Sequence, residues 1–367
     1  MLAAFTARQR TALIAIGALS VAGGAMHYAG VSGLAVFPVV TVALGGLAWM
    51  VALGTDALGA HFGPGVTGVL QSTLGNLPEL FVVIFALNAG DIVVAQTSLL
   101  GSLFANALLV MGMVIVAGAR ASPDGVMRFE RRLPNDTATL MLLAVFIIVL
   151  LGVSVSTHDR ASAHKVAISA AGAVVLLGVY FTWLYSYLRA DERGESGADE
   201  AQAGDADGGD PHAPPPLSLR GALGLLAAAG VGAAFISDWF VAALNPAIHA
   251  LHLSKAFAGL VIVAIAGNAV ENFAGISLAA KGKMDDAVSV VKNSVAQIAV
   301  FLFPVLVLVS LLFATPLTFV LAPVYIGALL ITALVLWQVT GDGEATIPEG
   351  AALIGIYLML AFLTFFE

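Results

Sequence analysis

Residues 63–87 read GPGVTGVLQSTLGNLPELFVVIFAL, and residues 256–280 read AFAGLVIVAIAGNAVENFAGISLAA. Each stretch is long enough to cross a bilayer as a helix, which takes about 20 residues. Each holds a single charged residue, and both place it in Gly-Asn-x-x-Glu: Gly75, Asn76 and Glu79, then Gly267, Asn268 and Glu271. The second copy follows the first by 192 residues, from Asn76 to Asn268. The likeness extends both ways. Thr55-Asp56 and Ser237-Asp238 lie upstream, and Gly101-Ser102-Leu-Phe-Ala-Asn106 and Asn293-Ser294-Val-Ala-Gln297 lie downstream. In each downstream pair the amide follows the serine by three or four positions, so the two share a helix face.

The rest of the chain supports a membrane setting. Of 367 residues, 60% are hydrophobic and 10% charged; a soluble domain carries about 25% charged residues. Eleven apolar spans are readable: 11–31, 33–55, 63–89, 91–118, 137–156, 166–188, 218–250, 256–280, 285–313, 317–340 and 347–366. The fold class expected is an all-α membrane protein of eleven transmembrane helices. Fifteen Lys and Arg leave no basic patch for nucleic acid. Without cysteine there is no disulfide framework and no thiolate chemistry. No nucleotide-binding glycine loop is visible either, so the chain reads as no enzyme, and energy for transport would come from an ion gradient.

Basic residues set the orientation. With the N-terminus in the cytoplasm, eleven Lys and Arg fall in inside loops and three outside, and the C-terminus ends outside. The expected setting is a cell (inner) membrane, crossed many times. Residues 1–32 form an extra N-terminal helix, 33–188 a first five-helix unit and 217–367 a second. Between them, 189–216 hold eight acids amid Gly, Ala and Pro, which reads as a disordered cytoplasmic linker. Five crossings is an odd number, so the second unit enters from the opposite side and the repeat is inverted. Glu79 lies 15 residues past Pro64, and Glu271 16 residues past Lys255. Both are then roughly 23 Å along their spans, near mid-membrane.

A carboxylate at that depth is costly and usually functional. Gly-Asn, and Pro78 in the first copy, are poor helix-interior residues. A helix broken there frees backbone carbonyls, tolerated only where they line a cavity or are buried in protein. Carboxylate, amide, hydroxyl and carbonyl oxygens are hard ligands that suit Ca²⁺ better than zinc or copper. Two carboxylates facing one cavity carry −2 when empty, and either one Ca²⁺ or two protons neutralise them. Moving a −2 site through a low-dielectric state is expensive, so such a site exchanges Ca²⁺ for H⁺.

These residues bring a family into view. The chain resembles the calcium/proton antiporters of the cation/calcium exchanger superfamily. Their first repeat is similar to GNLPELFVVIFAL followed by SLLGSLFANALLVMG, and their second to GNAVENFAGISLAAKGKMDDAVSVVKNSVAQIAVFLFP; the ending GDGEATIPEGAALIGIYLML is also alike. The resemblance runs from about residue 50 to the end, the acidic linker excepted. It implies two inverted five-helix halves with one extra N-terminal helix. It implies that Glu79 and Glu271 bind Ca²⁺ and take up protons, with Asn76, Asn268, Ser102, Ser294, Asn106 and Gln297 supporting them. The partners implied are Ca²⁺, H⁺ and the lipid bilayer, with no cofactor. The pattern departs at Asn272, where His is usual, at Asn293, where Gly is usual, and at Pro78.

Three further features need a place. Lys292, about 10 Å into its span, either snorkels to the interface or offsets one site carboxylate. Asp56 and Asp238 either draw cations to the two entrances or bond to neighbouring helices. The seven histidines fall at span ends or in loops and are assigned no metal. The reading is a Ca²⁺/H⁺ antiporter; its rivals are a sodium/calcium exchanger and, in a different class, a cation channel or sensor.

Overall fold

The computed structural model describes residues 5–59, 61, 74–130, 132–192 and 217–367, without the side chains of 132–137, 187–192 and 269–272. Twelve helices organise these residues. They are α1 (Ala7–Tyr28), α2 (Gly33–Gly59), α3 (Leu77–Asn88), α4 (Ile92–Ala121), α5 (Arg132–Ser156), α6 (Lys165–Glu192), α7 (Leu219–Leu251), α8 (Lys255–Gly267), α9 (Ala269–Ala280), α10 (Met284–Ser310), α11 (Pro323–Thr340) and α12 (Ile347–Phe365). Two short strands, β1 (Val126–Arg128) and β2 (Glu344–Thr346), pair antiparallel with Met127 opposite Ala345. Among the described residues nine helices are long and apolar enough to cross a membrane, and Leu77–Asn88 and Lys255–Gly267 are shorter apolar helices. The linker expected over 189–216 lies outside the described residues from 193 onward; α6 runs on to Glu192.

The chain divides into two compact units. One comprises residues 1–85 and 182–252 and is built on α1, α2 and α7. α2 and α7 pack along their length through small residues, the usual solution where lipid removes a hydrophobic driving force between helices. A Cβ on Gly54 would lie 2.8 Å from Leu226. Val51, Leu58, Leu225, Leu226 and Ala229 form the apolar core there, with Phe5. Ser237 on α7 is buried and donates to the Pro78 carbonyl at 3.4 Å, tying α7 to the start of α3.

The other unit comprises residues 86–181 and 253–367. Its two ends are marked by polar contacts. At one, Lys255 pairs with Asp91, Ser254 donates to the Thr364 carbonyl, and Tyr325 donates to Glu367. At the other, Arg128 pairs with Glu344 at 3.3 Å and the Glu130 amide donates to Asp285 at 2.6 Å. The starts of α4, α8 and α11 thus gather with the end of α12. Gly90 and Gly282, also 192 residues apart, both adopt a left-handed conformation (φ 77° and 81°) that turns the chain into α4 and α10.

One span begins differently from the sequence expectation. The stretch read as helical over 317–340 is irregular as far as Ala322, and α11 starts at Pro323. Prolines at 316 and 323 disfavour helix in the residues before them. Leu317 and Phe319 are nevertheless buried. Side chains satisfy the backbone that a helix would have satisfied: the Leu317 amide donates to Ser310 (2.7 Å), the Phe319 amide donates to Ser169 (3.1 Å), and Gln96 donates to the Val320 carbonyl (3.0 Å). Irregular backbone is tolerated at membrane depth on these terms.

Candidate cation-binding site

The second Gly-Asn-x-x-Glu segment interrupts its helix. α8 stops at Gly267, Asn268 takes φ −101° and ψ 12°, and α9 starts at Ala269. In the first copy a turn at Gly75 and Asn76 precedes α3, which starts at Leu77. α3 and α9 are both 12 residues long, and Glu79 and Glu271 are the third residue of each. A carboxylate in the first turn is favoured by the amides and dipole at a helix N-terminus. Glu79 is buried, 3% exposed, and Asn76 is buried beside it in sequence. The side chain of Glu271 lies outside the described residues.

Around Asn268 four of the expected residues meet. Asn268 Nδ2 donates to Ser102 Oγ (2.8 Å) and to the Ala264 carbonyl (2.9 Å). Asn106 Nδ2 donates to Asn268 Oδ1 and to Ser294 Oγ, both at 3.1 Å. Ser102, Asn106, Asn268 and Ser294 are all buried. Two of their helices, α4 and α8, are brought together by glycine. A Cβ on Gly101 would lie 2.3 Å from the Leu260 carbonyl, and one on Gly259 would lie 2.0 Å from Thr97 Oγ1. Asn106 Oδ1 has no hydrogen-bond partner among the described residues. A buried acceptor normally finds a partner, so this oxygen is available to a cation. Gln297 lies one turn beyond Ser294 and is half-buried.

The sequence reading missed the helical geometry at these residues. Asn106 is the second residue of a π-turn, Ala105–Val110, and Gln297 immediately precedes another, Ile298–Leu302; a third, Ala258–Val263, leads into the break at Asn268. Such widened turns recur at functional sites. At the first two the trace in sequence is a polar amide inside an apolar run; Ala258–Val263 carries none.

The Lys292 side chain is buried against the end of α11. It is 2% exposed, and its Nζ donates to Thr340 Oγ1 at 2.6 Å. Thr340 is the last residue of α11, so the ammonium sits at the negative end of that helix. Two residues along α10 is about 200° of rotation, which directs Lys292 away from the face that carries Ser294. Among the described residues no three of His, Asp and Glu gather into a metal cluster.

Comparison with known proteins decides the family. The model of the sodium/calcium exchanger protein family matches residues 32–188 and 221–366. The chain belongs to that family. It is 30% identical to a Ca²⁺/H⁺ antiporter of Aphanothece halophytica over 355 residues, covering 95% of this chain and 94% of that one. It is 31% identical to the Ca²⁺/H⁺ antiporter ChaA of Bacillus subtilis, covering 95% and 96%. The solved structure of native YfkE superposes with a TM-score of 0.77 at 28% identity, over 97% of this chain and 100% of that one. The H⁺/Ca²⁺ exchanger CAX shares the fold with a TM-score of 0.72 at 15% identity, over 98% and 93%. The family is one of membrane transporters, as the sequence suggested.

Proposed function

We propose that this exchanger exports cytoplasmic Ca²⁺ in exchange for H⁺ by alternating access. The observation that carries the reading is the buried cluster of Ser102, Asn106, Asn268 and Ser294 at a helix break, with the Asn106 oxygen unspent. Glu79 and Glu271 supply the charge, and Asn76 and Gln297 complete the oxygen set. Each glutamate opens the helix that follows its break. The antiporter relatives support the choice of ions.

The cycle follows from charge. The empty site carries −2, and a low-dielectric occluded state opposes moving it. One Ca²⁺ or two protons remove that barrier, so the loaded forms rearrange and the empty form does not. Mutual repulsion raises the proton affinity of paired carboxylates. The gradient supplies the energy, and no cofactor is needed.

Counting residues 63–89 as one crossing and α8 with α9 as another brings nine spans to eleven. These divide into an N-terminal helix (1–32), two inverted five-helix repeats (33–188 and 217–367) and the acidic linker (189–216). The N-terminus faces the cytoplasm and the C-terminus the outside of the cell membrane.

The test is Ca²⁺ flux into proteoliposomes under an imposed pH gradient, with and without Na⁺. Acid-inside vesicles accumulate Ca²⁺ without Na⁺, and Glu79→Gln or Glu271→Gln stops accumulation. Flux that requires Na⁺ would instead make the protein a sodium/calcium exchanger, and flux uncoupled from any gradient a channel.

A further inference from the structure

Lys292 and the β1–β2 ribbon lie outside the cluster of Ser102, Asn106, Asn268 and Ser294, yet both bear on α10. Three contacts join that helix to the ribbon and its flanks. The Asp285 carboxylate accepts from the amide of Glu130, which follows Arg128 at the end of β1 by two residues, at 2.6 Å. Lys292 Nζ donates to Thr340 Oγ1 at 2.6 Å, and Thr340 precedes Glu344 at the start of β2 by four residues. Met284, the first residue of α10, shares Gly118 of α4 with Met127 of β1: a Cβ on Gly118 would lie 2.6 Å from Met127 Sδ and 2.9 Å from Met284 Sδ. The Thr340 hydroxyl donates in turn to the Leu336 carbonyl at 2.7 Å. Its proton is thereby engaged, which leaves its oxygen to accept from the ammonium. Lys292 and Thr340 are both buried.

Helical pitch relates these contacts to the site. Asp285 and Lys292 are seven residues apart, about two turns, so they share one face of α10. Ser294 is offset from Lys292 by about 200° and Gln297 by about 140°, which puts both towards the opposite side. The ribbon and the end of α11 thus hold one side of the helix, while Asn106 meets the other through Ser294 Oγ at 3.1 Å. The π-turn Ile298–Leu302 follows directly. It breaks the regular register of α10, so the rotation of the first half depends on what that half itself touches. Apolar contact is non-directional. A hydrogen bond between two buried groups is directional, and an ammonium is costly to bury without one.

We propose that Lys292 is a positioning residue for the cation site. Through Thr340 it fixes the rotation of the first half of α10, and with it the direction in which Ser294 and Gln297 present their oxygens. The β1–β2 ribbon keeps the anchor in place. The part played by Lys292 is geometric. The inference deepens the antiport reading and rests on it for the identity of the cation, whereas the bond between Asn106 and Ser294 stands without it.

Two measurements test it. The first takes the apparent KM and Vmax of Ca²⁺ exchange in proteoliposomes for Lys292→Met, Thr340→Val, their combination and Thr340→Ser. Thr340→Val removes the tie without altering α10. Each of the two single variants raises KM by about two- to tenfold, the combination raises it no further, and Thr340→Ser, which keeps the hydroxyl, stays near the wild-type value. A lower Vmax or melting temperature at unchanged KM would mean that the tie only holds the fold together, and overturns the inference. Effects that multiply in the combination, or a rise in Thr340→Ser equal to that in Thr340→Val, overturn it as well. The second measurement needs no transport. Ser294→Ala is melted in detergent in the wild-type and Lys292→Met backgrounds. It lowers the melting temperature in the wild type, and by about half as much or less in Lys292→Met, where Ser294 is already turned from Asn106; equal shifts overturn the inference. Absence of exchange in the wild type would sink the antiport reading alone, and the melting cycle would still decide the role of Lys292.

Discussion

At the scale of single residues, the site is a matter of who donates to whom. Asn106 donates both of its amide hydrogens, to Asn268 and to Ser294. Asn106→Leu removes both and strands two buried acceptors, at about 1–3 kcal/mol. We expect a lower melting temperature in detergent and loss of Ca²⁺ flux, whereas a wild-type melt would mean that the cluster repacks freely. Lys292 makes the opposite point. Its ammonium is buried at the end of α11, where it donates to Thr340. Lys292→Met should leave the number of protons exchanged per Ca²⁺ unchanged, and a changed ratio in vesicles buffered for both ions would return the ammonium to the site. A third residue lies outside the spans. The Arg128 side chain beside Asp124 holds that carboxyl below its usual 3.8. A lowered folded pKa stabilises above 3.8 and ceases to do so as pH falls through the folded value. The pair is exposed, so the effect is small. Melting curves of wild type and Asp124→Asn should differ slightly at pH 7 and converge as pH falls below 3.8.

At the scale of elements, close approach sets the geometry. α4 and α8 touch backbone to backbone at Gly101 and Gly259, and the crossing aligns Ser102 and Asn106 with Asn268. A methyl group on Gly101 meets the Leu260 carbonyl, which cannot rotate away as a side chain would. Gly101→Ala should destabilise by about 1–3 kcal/mol. Gly355→Ala, with nothing within 4 Å, should be neutral or gain up to about 1 kcal/mol of helix propensity. Equal melting temperatures for the two would refute a crossing limited by backbone contact. Element boundaries were legible wherever a local cause exists. The break at Gly267–Asn268 follows from weak helix formers, and the turns at Gly90 and Gly282 from glycine. The irregular run 317–322 was not, because it is held from afar by Gln96, Ser169 and Ser310. The π-turns were not either, since an apolar run has the same periodicity with or without one extra residue.

At the scale of the whole molecule, the predictions concern sidedness. The excess of Lys and Arg in alternate loops expects a cytoplasmic N-terminus and an external C-terminus. A reporter active only in the cytoplasm should work when fused at Met1 and stay silent when fused at Glu367; activity at both ends would require an even number of crossings. Sequence alone determined the membrane setting, the duplicated Gly-Asn-x-x-Glu segments and the family. Those depend on composition and on spacing along the chain, which hydropathy and helical pitch convert directly into spans and depths. Tertiary structure alone decided that Asn106 bonds to Asn268 across 162 positions, that Lys292 turns towards Thr340, and that Ser237 is buried against the Pro78 carbonyl. Each depends on which helix face meets which neighbour, and a sequence specifies that only through packing it does not display.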